Sequence, residues 1–239
     1  MRTATRITVS TFGALAGLAG IEHGIGEVLQ GNRATDGVMI LSWPDSELFE
    51  ILTGEPAMTL VPNLLVTGIL AIVVSLTFLV WATMFVGRKH GGLVLILLSV
   101  VMLVVGAGFG PPILGVIVGV AATGINAPLT WWRTHLSGSA RRLLAGVWPW
   151  SYVAGMIAWL LLLPGTILLD YFFGVSGSDL VVPSLTLLVL SAFGLLLLTI
   201  FAGFAYDAQR QIGPQNAHST SRWVEYRALK EHYHERRRF

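Results

Sequence analysis

Glu22, His23 and Glu27 lie within residues 17–30, Gly-Leu-Ala-Gly-Ile-Glu-His-Gly-Ile-Gly-Glu-Val-Leu-Gln, inside the first long apolar segment of a 239-residue chain. Two carboxylates and an imidazole can bind and release protons, or hold a cation. Ionisable groups at membrane depth are costly; where they occur they face a bundle interior or water and mark ion and proton paths. His23 and Glu27 are four apart, so a helix places them on one face, where a His–Glu hydrogen bond is the simplest arrangement.

A metal is not expected from the sequence, and neither is a cofactor. His23 and Glu27 are the metal-ligand candidates, but oxygen ligands such as Glu22, Glu55 or Asp45 would have to be brought in. The remaining histidines, His90, His135, His218, His232 and His234, fall in segments assigned below to the cytoplasmic side. A haem bridged by two spans therefore lacks its second His. There is no P-loop, no GxGxxG after a strand, no HExxH and no GxSxG, so an enzyme is not the favoured class.

A helix over residues 7–30 would sort these residues by direction. At about 100° per residue, Gly13, Gly17, Gly20 and Gly24 form one narrow stripe, with Glu27 and then His23 along its edge. Glu22 points to roughly the opposite side, among Leu15, Leu18, Ile25 and Leu29. The stripe predicts close approach by a second helix in the small-xxx-small manner, and Gly115 with Gly119 offers a matching surface. An ionised Glu22 facing lipid would cost at least about 2.5 kcal/mol, so that face is expected to be covered and the first helix to be central.

Composition sets the class. The chain is 54% hydrophobic and only 12% charged, about half the charge of a soluble domain, and its mean hydropathy is +0.72. Without cysteine there is no disulfide framework and no thiolate chemistry. A pI near 9.2 would suit nucleic acid, but the bases lie beside apolar runs, where topology explains them.

The expected fold is an all-α polytopic membrane bundle with spans at 7–30, 60–86, 92–108, 112–125, 148–170 and 181–206, an outer loop at 31–59 and a basic tail at 207–239. A cleaved signal peptide is the rival reading of the first segment, but apolarity continues past any cleavage site. Within the loop, Ser42 and Asp45 read as the start of a short surface helix carrying Leu48, Phe49, Ile51 and Leu52. Pro62 and Pro183 are placed in first helical turns, and Pro164-Gly165 should kink the fifth span. Residues 92–125 as one helix would be about 50 Å long, against a hydrocarbon core of about 30 Å. A hairpin broken at Gly108-Phe109-Gly110-Pro111-Pro112 is the alternative. Charge selects it: with six spans and both termini cytoplasmic, every Lys and Arg except Arg33 is inside. Asp36, Asp45, Glu47, Glu50, Glu55, Asp170 and Asp179 are then outside. Trp131-Trp132 with Trp148 and Trp150 would form a cytoplasmic aromatic belt.

Three segments carry a resemblance: Glu22-His23-Gly24-Ile25-Gly26-Glu27; Glu55-Pro56-Ala57-Met58-Thr59 running into Pro62-Asn63-Leu64-Leu65-Val66-Thr67-Gly68; and Gly108-Phe109-Gly110-Pro111-Pro112. With them, about the first 130 residues resemble an uncharacterised group of prokaryotic integral membrane proteins. The resemblance implies a membrane protein and no particular activity.

The expected function is small-ion, proton or small-solute transport across the cell membrane, using Glu22, His23 and Glu27 near the outer leaflet. One alternative is a structural or regulatory membrane subunit in which these residues join helices. Another is an outer-leaflet enzyme built from His23, Glu27 and the acidic loop. The implied partners are the bilayer, anionic lipid at the basic tail, and a second copy or other membrane subunits; nucleic acid is not implied.

Overall fold

The computed structural model describes residues 3–44, 54–165, 168, 171–172 and 181–235, with side chains as far as 211 apart from 163, 164, 181 and 182. In chain order the elements are α1 (Ala4–Leu29), β1 (Met39–Leu41), β2 (Pro56–Met58), α2 (Leu64–Val80), α3 (Gly91–Val104), α4 (Gly110–Thr123), α5 (Thr130–Thr134), α6 (Gly138–Leu160) and α7 (Val181–Glu235). Widened π turns extend α2 over Trp81–Phe85 and α6 over Leu161–Gly165. Four helical stretches are long and apolar enough to cross a membrane: α1, Leu64–Phe85, α6 and Pro183–Gln211. With Leu93, Leu97, Ile157, Leu187 and Leu190 all turned outward, this is a membrane-embedded helical protein whose outer surface is suited to hydrocarbon.

Between lipid-facing helices, association depends on close packing rather than on removal of apolar surface from water. The glycines of α1 supply that closeness, but their partner is α2. A Cβ on Gly13 would meet Ala82, one on Gly17 Leu79, one on Gly20 Ser75, and one on Gly24 the carbonyl of Gly68. Gly68 in turn faces the Gly24 carbonyl, so the two backbones touch. Gly115 and Gly119 serve a separate seam: Gly115 packs on Ser99, and Gly119 on Ile96 and Gly92 of α3. The expected match between the two sets of glycines is therefore corrected. On α2, Gly68, Ser75 and Ala82 recur every seven residues and give α1 a continuous small-residue groove.

Helix α1 is the most enclosed of the four long helices, with 56% of its apolar window buried against 22–33% for the others. Its centrality was anticipated, but not its cause. Leu18, Ile25 and Leu29, on the side of Glu22, are exposed, so among the described residues no helix covers that face. The enclosure comes from α2, α4, α6 and α7 on the other sides. Phe12, Phe78, Leu95, Leu114 and Leu196 fill the core between them.

The α3–α4 pair replaces the long helix rejected on length. Each has 14 residues, about 20 Å, and residues 105–109 join them. The break lies earlier than expected: Pro111 and Pro112 are already in the first turn of α4, where a missing N–H is tolerated. Similarly, Pro62 precedes α2, whose cap is Asn63, accepting from Val66 N at 3.1 Å. The anticipated disruption at Pro164-Gly165 takes the form of the π turn.

At one end of the bundle the bases collect. Arg6 lies against Gly87, Asn126 Nδ2 donates to Gly87 O at 3.1 Å, and Arg141 Nε donates to Gln209 Oε1 at 2.8 Å. Here Asp207 accepts from Ala4 N at 2.8 Å and Thr5 N at 3.0 Å, joining α7 to the start of α1. The aromatic belt is half of what was anticipated. Trp131 and Trp150 are exposed, but Trp132 stacks on Phe204 and Trp148 Nε1 donates to Thr8 Oγ1 at 3.1 Å. Helix α7 runs on past residue 206 to Glu235 instead of ending there.

At the other end, residues 31–44 and 54–59 form a cap. Strand β1 pairs antiparallel with β2, Ile40 opposite Ala57. Ser42, read as a helix cap, instead donates from its N to Glu55 O; Asp45 and the surface helix expected after it lie in residues 45–53, outside the described residues.

Candidate functional site

The site is at the loop end of α1. Gln30 Nε2 donates to the carbonyls of Leu41 at 2.9 Å and Ser42 at 3.0 Å, holding β1 against the helix end. A Cβ on Gly26 would meet Ser42 O and the Trp43 ring, so Gly26 is what lets the strand lie flat on α1. The ladder continues beyond the strands, with Ser42 N donating to Glu55 O at 3.1 Å and Trp43 N to Gly54 O at 2.9 Å. This pairing sets Glu55 beside α1. Glu55 adopts φ +54 and follows Gly54 at φ +77, a left-handed corner that an ordinary residue enters only at some cost.

Three side chains meet here. His23 Nδ1 lies 3.1 Å from Glu22 Oε2 and 3.4 Å from Glu55 Oε2. One ligand atom from each of the three falls within 4.8 Å of the others. Nδ1 is also 3.1 Å from the Ala19 carbonyl, which only accepts, so a hydrogen bond there requires the proton on Nδ1. His23 is 7% exposed, while the Glu22 side chain is 34% exposed. Glu55 is outside the spanning helices, and burial pushes its carboxyl well above the usual carboxylate range. His23 pulls it back down, and the neighbouring Glu22 adds to the rise.

Glu22 therefore does not stand alone on an opposite face. Consecutive helical residues are about 100° apart, and a long carboxylate arm bridges that angle when a third group sits between. Glu55 is that group. The requirement for an oxygen ligand brought in from outside the helix is met by Glu55; Asp45 lies outside the described residues.

Glu27 is one turn further along on the His23 face. It is fully buried, with Ser42 Oγ donating to Oε1 at 3.4 Å. Among the described residues, Glu27 Oε2 and Glu22 Oε1 are buried without a hydrogen-bond partner. The expected His23–Glu27 hydrogen bond is not among the contacts of either side chain. Both are roofed by the α3–α4 break: a Cβ on Gly106 would strike the Glu27 carboxylate, and one on Gly108 would strike the His23 ring. Both glycines also adopt positive φ, +94 and +74, so conformation and space each require glycine.

The break is pinned by hydroxyls that the sequence reading did not single out. Thr67 Oγ1 donates to Val105 O at 2.8 Å and is in hydrogen-bond contact with Thr59 Oγ1. Leu60 N donates to Val104 O at 3.0 Å. A polar residue at 67, in the first turn of an apolar helix, is the signal that could have found this anchor.

Chemically, the site holds three carboxyl groups and one imidazole. Among the described residues, the ion pairs are those of His23 with Glu22 and Glu55, and no Lys or Arg takes part. Such a group can hold protons, or a cation, at the membrane boundary. No protein-family model matches the chain, and neither a curated protein nor a solved structure is found to resemble it.

Proposed function

We propose that this protein binds a small cation, a proton or a metal ion, at the loop end of α1 and mediates its passage through the membrane. The observation that carries the reading is the convergence of Glu22, His23 and Glu55 beside the buried Glu27, beneath a broken helix pair and without a basic side chain to balance them. Non-helical backbone at membrane depth is tolerated where it is enclosed by protein or lines a cavity, and residues 105–109 roof this cluster. We place the protein in the cell membrane with six traversing helices, α3 and α4 forming a short pair, and with the basic end cytoplasmic. The gathering of Arg6, Arg88, Lys89, Arg133, Arg141 and Arg142 towards that end supports this orientation.

The test is flux in liposomes reconstituted with wild type and with Glu22→Gln. Wild type should carry protons or cations and the variant should lose most of that flux; identical flux in both removes the reading. A second reading, a regulatory or structural subunit, draws on α7, whose helix continues from Gln211 to Glu235 beyond the apolar stretch. It predicts that a chain shortened after 211 loses a co-purifying membrane partner while keeping its flux.

A further inference from the structure

We propose that Glu22, His23 and Glu55 form a binding site for one divalent first-row transition-metal ion. This deepens the cation reading above and rests on it. Three observations favour a dication over a monovalent occupant.

The first is geometry. Ligand atoms about 2.0–2.2 Å from a first-row ion stand roughly 3.0–3.6 Å apart, and the Nδ1-to-carboxylate separations are 3.1 and 3.4 Å. The second is charge. Glu22 and Glu55 are both directed at one imidazole, and Glu27 adds a further carboxyl one turn away, fully buried with Oε2 unpartnered. Glu27 also lies in the last turn of α1, where the helix dipole favours positive charge and disfavours carboxylates. A dication answers both conditions at once. The third is ligand type. One imidazole with carboxylates suits Zn²⁺, Mn²⁺, Fe²⁺ or Co²⁺, whereas Cu⁺ prefers thiolate or thioether and Ca²⁺ prefers oxygen alone.

On binding, the imidazolium form of His23 that pairs with Glu22 and Glu55 loses its Nδ1 proton to water and keeps the one on Nε2. The lone pair so freed binds the ion, so one proton is released as one metal–nitrogen bond forms. Glu22 Oε1, buried without a hydrogen-bond partner, supplies either a second oxygen to the ion or an acceptor for a bound water. The left-handed backbone at Glu55 is what brings the third ligand down onto the helix.

The experiment uses the full chain in detergent, stripped with chelator and titrated with Co²⁺ alone. Wild type is expected to bind one Co²⁺ per chain, seen as visible d–d absorption and confirmed by elemental analysis, and to release it to Zn²⁺. His23→Gln and Glu55→Gln should each weaken binding at least tenfold, a loss in the range seen when metal-site partners are removed. Both variants should elute as monodisperse protein; if Glu55→Gln does not fold, His23→Gln carries the comparison. His232→Gln/His234→Gln in the tail should leave binding unchanged. The proposal is overturned if wild type takes up no stoichiometric Co²⁺, or if uptake is insensitive to His23→Gln. If wild type binds no Co²⁺ but Glu22→Gln still abolishes proton flux, the metal is refuted and the transport reading stands. If neither effect is seen, both fall.

Discussion

The two ends of the bundle treat buried carboxylates in opposite ways. At the basic end, both oxygens of Asp207 are occupied by backbone N–H groups, at 2.8 and 3.0 Å from Ala4 and Thr5. Those N–H groups are the unpaired donors of the first turn of α1, so the anion sits at the positive pole of the helix. At the loop end, Glu22, Glu27 and Glu55 crowd the negative pole of the same helix, and Glu22 and Glu27 each keep a buried oxygen without a partner. The first arrangement is a finished joint. The second is a set of groups held in place at the expense of local electrostatics, the pattern that marks candidate functional sites.

Three substitutions test this contrast, taken from the largest expected effect to the smallest. Gly108→Ala forces a side chain into φ +74 and into the His23 ring, combining backbone strain with overpacking at about 2–5 kcal/mol in total. The thermal midpoint of the detergent-solubilised protein should fall by many degrees, whereas Gly110→Ala, whose Cβ meets open space, should change it little. Equal midpoints for the two variants would mean the roof does not press on the site. Asp207→Ala strands two N–H groups and should cost about 1–3 kcal/mol; Asp207→Asn should recover only part of it, because its single amide oxygen replaces one acceptor and its NH2 faces the other N–H. If the Ala variant melts with wild type, the finished joint is not one. The smallest effect should have the opposite sign. In chelated buffer, Glu27→Gln keeps the side chain's shape and removes a buried carboxyl with an unpartnered oxygen, and should leave stability unchanged or raise it by up to about 1 kcal/mol. A loss matching Asp207→Ala would erase the distinction between the ends.

The bundle was legible because apolar runs of bilayer length, basic turns and broken segments are written locally. The small-residue stripe on α1 was also legible from its period. Its partner was not, since several helices carry glycine; the seven-residue recurrence of Gly68, Ser75 and Ala82 was the available signal. The site was half legible. Glu22, His23 and Glu27 could be named because charge is conspicuous in an apolar segment. Their mutual geometry could not, because Glu55 is delivered by a hairpin whose two strands are separated by more than a dozen residues. A wheel drawn for one helix has no means of showing what a loop folds back onto it. The roof was visible as a glycine-proline break, but its position shifted because Pro111 and Pro112 begin a helix instead of ending one.

The bond from Asp207 to Ala4 and Thr5 also imposes an order on synthesis. It joins α1 to α7, a helix made about two hundred residues later. Until α7 has left the ribosome, the first turn of α1 lacks the acceptor that closes it. The loop-end cluster, in contrast, is complete once α4 has been made. A nascent chain halted after α4 would therefore hold Glu22, His23 and Glu55 together before the start of α1 had its closing acceptor, which waits for α7.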